Sequence, residues 1–272
     1  MQLRHTERVK EKMATTKASR QASRAKHSTD ANDDVFNADK LDEDDFLMFV
    51  VGGVNFLWAA PTTTKAEPEL LLRDFLSVSG LKIGRVRVDG AFDASSGFKS
   101  FCKRRNIEIC ASVAYTHTMQ ARVEGAIRVC KEHVRCMLKS SNCPTRFWPY
   151  ALLHFCRTFN WWPSQNGPPP WTKMQQSKFC FDMDRDLHTW GAHMVAHLPR
   201  EHPLVQEEQT HGDRALEGIF LGNDPVTPTY WMYSFRLERV LRVQDVTIYD
   251  GDYPFRRGSL QERSLQHRER EL

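Results

Sequence analysis

Two acidic side chains, Asp89 and Glu124, stand where side-chain chemistry could be done. Asp89 closes the run Val86-Arg87-Val88-Asp89-Gly90. That run reads as the end of a short buried strand, and open α/β sheets place their sites at the carboxyl ends of strands. An Asp ahead of a Gly also commonly initiates a turn, so the local pattern leaves both roles open. Glu124 lies 35 residues further on, in the first turn of a long predicted helix, where the helix dipole by itself favours an acid. Arg128, Lys131 and Arg135 follow it at offsets of 4, 7 and 11, which puts all four on one helical face. Val123, Ile127, Cys130, Val134 and Met137 form a separate apolar stripe. An acid followed by a ladder of cations can hold a divalent ion at one end and phosphates along the rest. A solvated face with one Glu–Arg pair, worth about 0.2–0.5 kcal/mol, is the plainer alternative.

These side chains depend on the elements that carry them. Residues 46–51 and 54–60 are rich in β-formers and flank Gly52-Gly53, which predicts a hairpin. Apolar residues at 70, 71, 72, 75, 76 and 78 predict a helix over 65–78, with Gly80 as its C-cap. A strand at 83–88 follows, then a helix containing 98–103, a strand at 107–113 and a helix over 120–140. Pro144 ends that helix, and another spans 146–161. Residues 46–162 thus read β-β-α-β-α-β-α-α, an α/β fold with a mixed sheet flanked by helices. Gly167-Pro168-Pro169-Pro170 marks a stiff boundary. Short apolar runs at 194–198, 218–221, 230–235, 240–243 and 246–249 then predict a small β-rich module. The expected organisation is a basic flexible arm at 1–30, a core at 31–165, the β-rich module at 166–255 and a charged tail at 256–272.

The net charge of +4 conceals a sharp asymmetry. Residues 1–29 hold eight Lys or Arg against two acids, whereas 30–45 hold eight acids against one Lys. The first block is polar and lacks aromatics, so it cannot bury enough surface to offset its ordering entropy. It suits a polyanion or stands as a solvated tail. Repulsion keeps most of the carboxylates of the second block in water. Seven cysteines with no Cys-x-x-Cys pair argue against a disulfide scaffold and a zinc ribbon, and for a reducing intracellular compartment. The longest apolar run, 46–60, is interrupted by Gly52, Gly53 and Asn55, and a membrane span needs about 20 residues. No membrane partner is expected, and 1–29 contain no secretory core.

Several motifs together resemble the integrase catalytic core of copia-type retrotransposon polyproteins. They are Arg87-Val88-Asp89, Phe98-Lys99-Ser100-Phe101-Cys102, Asn106-Ile107, the segment from Tyr115 to Gln120, and Glu124. The similarity continues through Arg135-Cys136-Met137-Leu138, Arg146-Phe147-Trp148, Asn160 and Pro163. Beyond the prolines it includes the segments 187–191, 217–222 and 242–246, and Tyr253-Pro254-Phe255. Their order over 34–255, and the 35-residue interval from Asp89 to Glu124, fit the family.

The resemblance implies an RNase H-like core at 31–165 and a triad of two Asp and one Glu that binds two divalent ions, Mg²⁺ or Mn²⁺. Asp89 and Glu124 take two of the places. Asp34, in Asp34-Val35-Phe36, fits the first, with Asp33 as runner-up. The implied reaction is an endonuclease and DNA-strand transfer reaction joining element 3′ ends to target DNA. Arg122, Arg128, Lys131 and Arg135 are the implied phosphate contacts. A homo-oligomer, a polyprotein origin and a nuclear location follow from the same resemblance. Asn37-Ala38 stands where the family has Gly-Pro, Gln120-Ala121 where it has Asn-Gly, and Val51-Gly52 where it has Asp-Asp. These departures carry two alternatives: a degenerate remnant that binds DNA without catalysis, and a structural interaction protein that keeps the fold.

His193 and His197 are spaced four apart, but in a β segment that spacing separates them too far to share a metal ion. Trp148, Trp161 and Trp162 flank an apolar helix and read as core packing. The cysteines read as small buried hydrophobes.

Overall fold

The computed structural model describes residues 46–62, 68–88, 95–111, 117–163, 167–174, 187–198, 215–224 and 227–257. All lie within one unit, Asn37–Leu272. Asp33, Asp34, Asp89, Cys180, the basic arm and most of the charged tail lie outside the described residues.

The first hairpin pairs β1 (Phe46–Val51) with β2 (Phe56–Pro61) antiparallel, Phe46 opposite Pro61 and Val51 opposite Phe56. The turn is longer than the Gly pair alone suggests. Asn55 takes a positive φ of 57°, and its N–H closes on the Val51 carbonyl at 3.1 Å. Helix α1 (Pro68–Ser79) follows. Strands β3 (Arg85–Val88) and β4 (Glu108–Ala111) pair in parallel, Val86 opposite Ile109, across helix α2 (Ser96–Arg104). The Ser95 side chain caps α2 by accepting the Phe98 N–H.

The two ladders remain separate among the described residues, yet they share a core. Phe56 from β2, Val86 from β3, Leu72 and Phe75 from α1, and Phe98, Phe101 and Cys102 from α2 form one buried cluster, joined by Ile107 and Met174. Phe49 of β1 stacks on Phe75 at 5.4 Å. Antiparallel and parallel pairing therefore both occur around one apolar centre, as the expected mixed α/β class requires.

Helices α2 and α3 (His117–Ser141) stop by the same device. Asn106 and Asn142 take positive φ values of 56° and 55°. The N–H groups of Ile107 and Cys143 then reach back to the carbonyls of Cys102 and Leu138 at 2.9 and 3.0 Å. Both are Schellman closures, with Asn supplying the left-handed residue. A short 3₁₀ turn, Thr145–Phe147, leads into α4 (Trp148–Trp161), which buries nine residues spread around its circumference. A helix apolar on more than one side must be covered on more than one side. α4 packs on α3 and β2, and also on the second sheet.

That sheet has five antiparallel strands in the order β8-β7-β6-β5-β9. They are β5 (His193–His197), β6 (Ala215–Asn223), β7 (Tyr230–Ser234), β8 (Arg239–Val243) and β9 (Val246–Tyr249). Every residue of β7 is buried. Met194, Leu216, Phe220, Met232 and Leu241 fill a core cluster of the sheet. On the α4 side, Trp231 meets Tyr150 at 6.0 Å and Tyr233 meets Phe147 at 4.9 Å. Gly218 is required by close approach: a Cβ there would overlap the Tyr233 carbonyl oxygen.

Candidate functional site

Helix α3 carries the acid and the cations. Its 25 residues extend about 37 Å. One side is fixed by burial: Cys130, Val134 and Leu138 are all within the core, against α4 and β1. Glu124, Arg128 and Arg135 are exposed, and Lys131 is half-buried. The four residues predicted to share a face thus run along the flank of the buried stripe, with Lys131 nearest to it. Val123 departs from the apolar stripe and is 36% exposed.

The helix begins at His117, three residues before the expected start. Glu124 therefore stands two turns in, not in the first turn. The helix dipole acts mainly within the first turn, so the ordinary reason for an acid at a helix start no longer accounts for Glu124.

The ladder divides along its length. At the amino-terminal half, Arg122 lies beside the β1–β2 turn, where a Cβ added to Gly52 would stand 3.8 Å from its Nη1. Further along, Lys131 and Arg135 form the polar rim of a groove floored by Val134, Leu138, Trp148, Leu152 and Phe46. Helical periodicity gives the shared face. The groove needs Phe46 and Trp148, brought in by β1 and α4, and no local pattern announces that meeting.

Asp34 and Asp89 lie outside the described residues, so of the three expected ligands only Glu124 is placed. Asp89 follows directly on Val88, the last residue of β3. Val88 is paired with Ala111 at the end of β4. Among the described residues no three His, Cys, Asp or Glu side chains cluster as a metal site would. The Glu124 carboxylate, exposed and a hard oxygen donor, is chemically suited to a divalent cation.

The other ionisable groups explain themselves structurally. His193 and His197 lie on β5, as expected, and have different neighbours. His193 stands between Asp252 at 3.4 Å and Glu217 at 3.9 Å, and His197 bonds to Thr247 at 3.3 Å. Asp250 accepts the Thr189 N–H at 2.6 Å and contacts His188 at 3.0 Å. Burial acts to raise its pKa, but the bonds from His188 and Thr189 outweigh it and hold the carboxyl below its usual range. Cys102, Cys130, Cys143 and Cys156 are buried, whereas Cys136 is exposed. Burial lifts the Cys143 thiol to about 11. Trp148 is buried, as expected of a packing residue, but Trp162 is 64% exposed. Trp162 follows the last residue of α4, where the helix no longer supplies a covering face.

The class the structure defines is a mixed α/β fold, with parallel and antiparallel strand pairs among helices. Within it, the chain resembles the integrase core of copia-type polyproteins, as its motifs imply. Over 217 residues, 76% of this chain, it is 24% identical to the retrovirus-related Pol polyprotein from transposon TNT 1-94 of Nicotiana tabacum. The match spans 16% of that polyprotein's length. No family model matches the chain. Among solved structures, the catalytic core domain of BIV integrase is 18% identical, with a TM-score of 0.39 over 48% of this chain and 84% of that one. A chain of the simian T-cell lymphotropic virus intasome, in complex with PP2A regulatory subunit B56 gamma, is 12% identical with a TM-score of 0.38. That match covers 75% of this chain and 74% of the other. No helix among the described residues is long and apolar enough to cross a membrane.

Proposed function

We propose that the chain is the integrase-type portion of a retrotransposon polyprotein, an RNase H-like core at 31–165 followed by a β-rich module at 166–255. Its substrate is DNA, both element ends and target, its assembly is a homo-oligomer, and its place of action is the nucleus. The observation that carries this reading is the flank of α3, with Glu124 two turns in and Arg128, Lys131 and Arg135 after it.

Asp34, Asp89 and Glu124 would hold two Mg²⁺ or Mn²⁺ ions. When bound, such a pair activates the attacking oxygen and stabilises the leaving one in an in-line displacement at phosphorus. The chain's own cations do the rest. Arg122 and Arg128 flank Glu124 and would take the phosphates beside the reacting one, and Lys131 and Arg135 extend that track. Such contacts position a duplex without reading its sequence. Water as the attacking group gives trimming of a 3′ end, and a DNA 3′-hydroxyl gives strand transfer. Incubating the chain with a labelled element-end duplex and Mg²⁺ or Mn²⁺ tests the reading: a nicked or joined product supports it.

A second reading rests on the departures at Asn37-Ala38 and Gln120-Ala121. In it the chain binds DNA through the same face and cleaves nothing. The same assay separates the two, since the second reading gives salt-sensitive binding without product.

A further inference from the structure

A second groove lies at the carboxyl end of α4. Trp162 is 64% exposed and lines a groove of about 190 Å³ with Phe159, Pro163, Pro168, Asn55 and Lys173. A single water needs only about 10–15 Å³, so the groove has the size of a ligand site and not of a hydration site. Its wall is firm. Trp161 packs on Trp171 at 4.3 Å, and the 3₁₀ turn Pro170–Lys173 packs on α4. Pro163, Pro168, Asn55 and Lys173 are exposed along with Trp162. Among the described residues the Trp162 indole meets no other ring, and Lys173 has no carboxylate within ion-pair distance.

The groups that line the groove differ in kind. An indole offers a flat π face, the Asn55 side chain both a donor and an acceptor, and Lys173 a cation. An unpaired nucleotide has a counterpart for each: a base face, a base edge and a phosphate. A peptide carboxylate would use Lys173 and leave the indole unmatched, and a proline-rich peptide would do the reverse. The groove also adjoins the α3 face. Asn55 belongs to the β1–β2 turn, whose Gly52 lies beside Arg122, and three residue steps from 52 to 55 span at most about 11 Å.

We infer that this groove seats one unpaired base of a DNA strand, stacked on Trp162, with Asn55 at the base edge and Lys173 at the adjoining phosphate. The strand passes the β1–β2 turn and reaches Arg122, so a base drawn out of a duplex end is held beside the α3 phosphate track. That the occupant is DNA rests on the proposed function, which this groove extends from phosphate contacts to a base contact.

The test uses the full chain with EDTA present, so it needs no catalysis. Fluorescence anisotropy compares two labelled single strands of equal length, one of thymidylate and one lacking bases. The base-bearing strand is expected to bind more tightly. Trp162→Ala is expected to weaken that strand roughly tenfold, the scale of one base–aromatic stack, and to leave the abasic strand unchanged. Trp162→Phe is expected to recover most of the loss. Lys173→Gln is expected to weaken both strands alike and to lower the salt slope by about 0.7. On irradiation, a strand carrying one 5-iodouracil is expected to crosslink to the peptide that holds Trp162. An unchanged affinity of Trp162→Ala for the base-bearing strand, an equal loss on the abasic strand, or a crosslink confined to other residues overturns the inference. Capture of an oligoproline peptide through Trp162, with neither strand affected by the substitution, assigns the groove to peptide and equally overturns it. Duplex nicking with no base dependence at Trp162 refutes this inference alone. Base-dependent binding without nicking leaves it standing while the proposed catalysis fails.

Discussion

The side-chain amide of Asn160 binds both backbone polar groups of Leu57. Its Oδ1 accepts the Leu57 N–H at 2.8 Å, and its Nδ2 donates to the Leu57 carbonyl at 2.7 Å. The two residues are 103 apart in sequence, and Asn160 is 4% exposed. The amide continues the hydrogen bonding of β2 and ties α4 to the strand. Asn160→Leu would leave a buried donor and a buried acceptor unpaired, at about 1–3 kcal/mol each. Urea unfolding is expected to show a loss of roughly 2–6 kcal/mol, with DNA affinity per folded molecule unchanged because α3 is not touched.

Gly191 sits against the end of α3. Its φ is +79°, and a Cβ there would lie 2.5 Å from the Ser141 Cβ. Ser141 is fully buried and its hydroxyl donates to the Met137 carbonyl at 2.8 Å, so it has little room to move. Gly191→Ala combines a strained backbone with a steric overlap and is expected to cost about 2–3 kcal/mol. Ser141→Gly is expected to recover part of that loss by removing the overlap alone, with thermal unfolding of the two variants as the readout.

His154 gives the chain an acid sensitivity. Burial, Arg157 and His188, in that order, lower its pKa to about 4. Its ring meets Phe220 edge-on at 5.6 Å. The unfolded chain takes up this proton near pH 6.5 and the folded chain only near 4. Between those values the unfolded state binds more protons, so stability falls as pH falls. The window corresponds to a loss on the order of 3 kcal/mol. Thermal midpoints are expected to drop below about pH 6.5, and His154→Phe is expected to flatten that part of the curve.

Much of this architecture was legible because it is local. The strand at 246–249 matches its expected bounds, and α4 follows the helix break that Pro144 marks. The left-handed Asn106 and Asn142 that end α2 and α3 were not anticipated, although Asn is a residue that tolerates positive φ. What the sequence did not reveal depends on distance along the chain. The partner of Asn160 is a backbone 103 residues away, and nothing near 160 points to it. The groove at Lys131 and Arg135 exists only because β1 and α4 close beside α3. The separate β1–β2 and β3–β4 ladders share a core that periodicity can populate but cannot connect. The site is legible unevenly for the same reason. Glu124 and its cations follow from one helix, whereas a ligand set with Asp34 and Asp89 requires three distant segments, and two of them lie outside the described residues.

If the cations of α3 hold phosphates as proposed, they set how DNA affinity responds to salt. Replacing Arg128 and Arg135 by Gln is expected to reduce the slope of log affinity against log salt by about 0.9 for each phosphate contact removed. The reduction is expected to be similar on unrelated duplex sequences, because phosphate contacts carry no sequence information. Fluorescence anisotropy across a salt series measures it. A slope unchanged in the double variant would place DNA on another face.

Metal-dependent nicking by the intact chain and by Glu124→Gln, compared on one duplex with Mn²⁺ or Mg²⁺, bears most directly on the proposed chemistry. The substitution removes the charge of the proposed metal ligand while keeping size and helix. Nicking is expected to vanish in the variant while its DNA affinity stays within about twofold, since the cations proposed to bind phosphate remain. Nicking by Glu124→Gln at the rate of the unaltered chain would remove Glu124 from the reaction and contradict the triad.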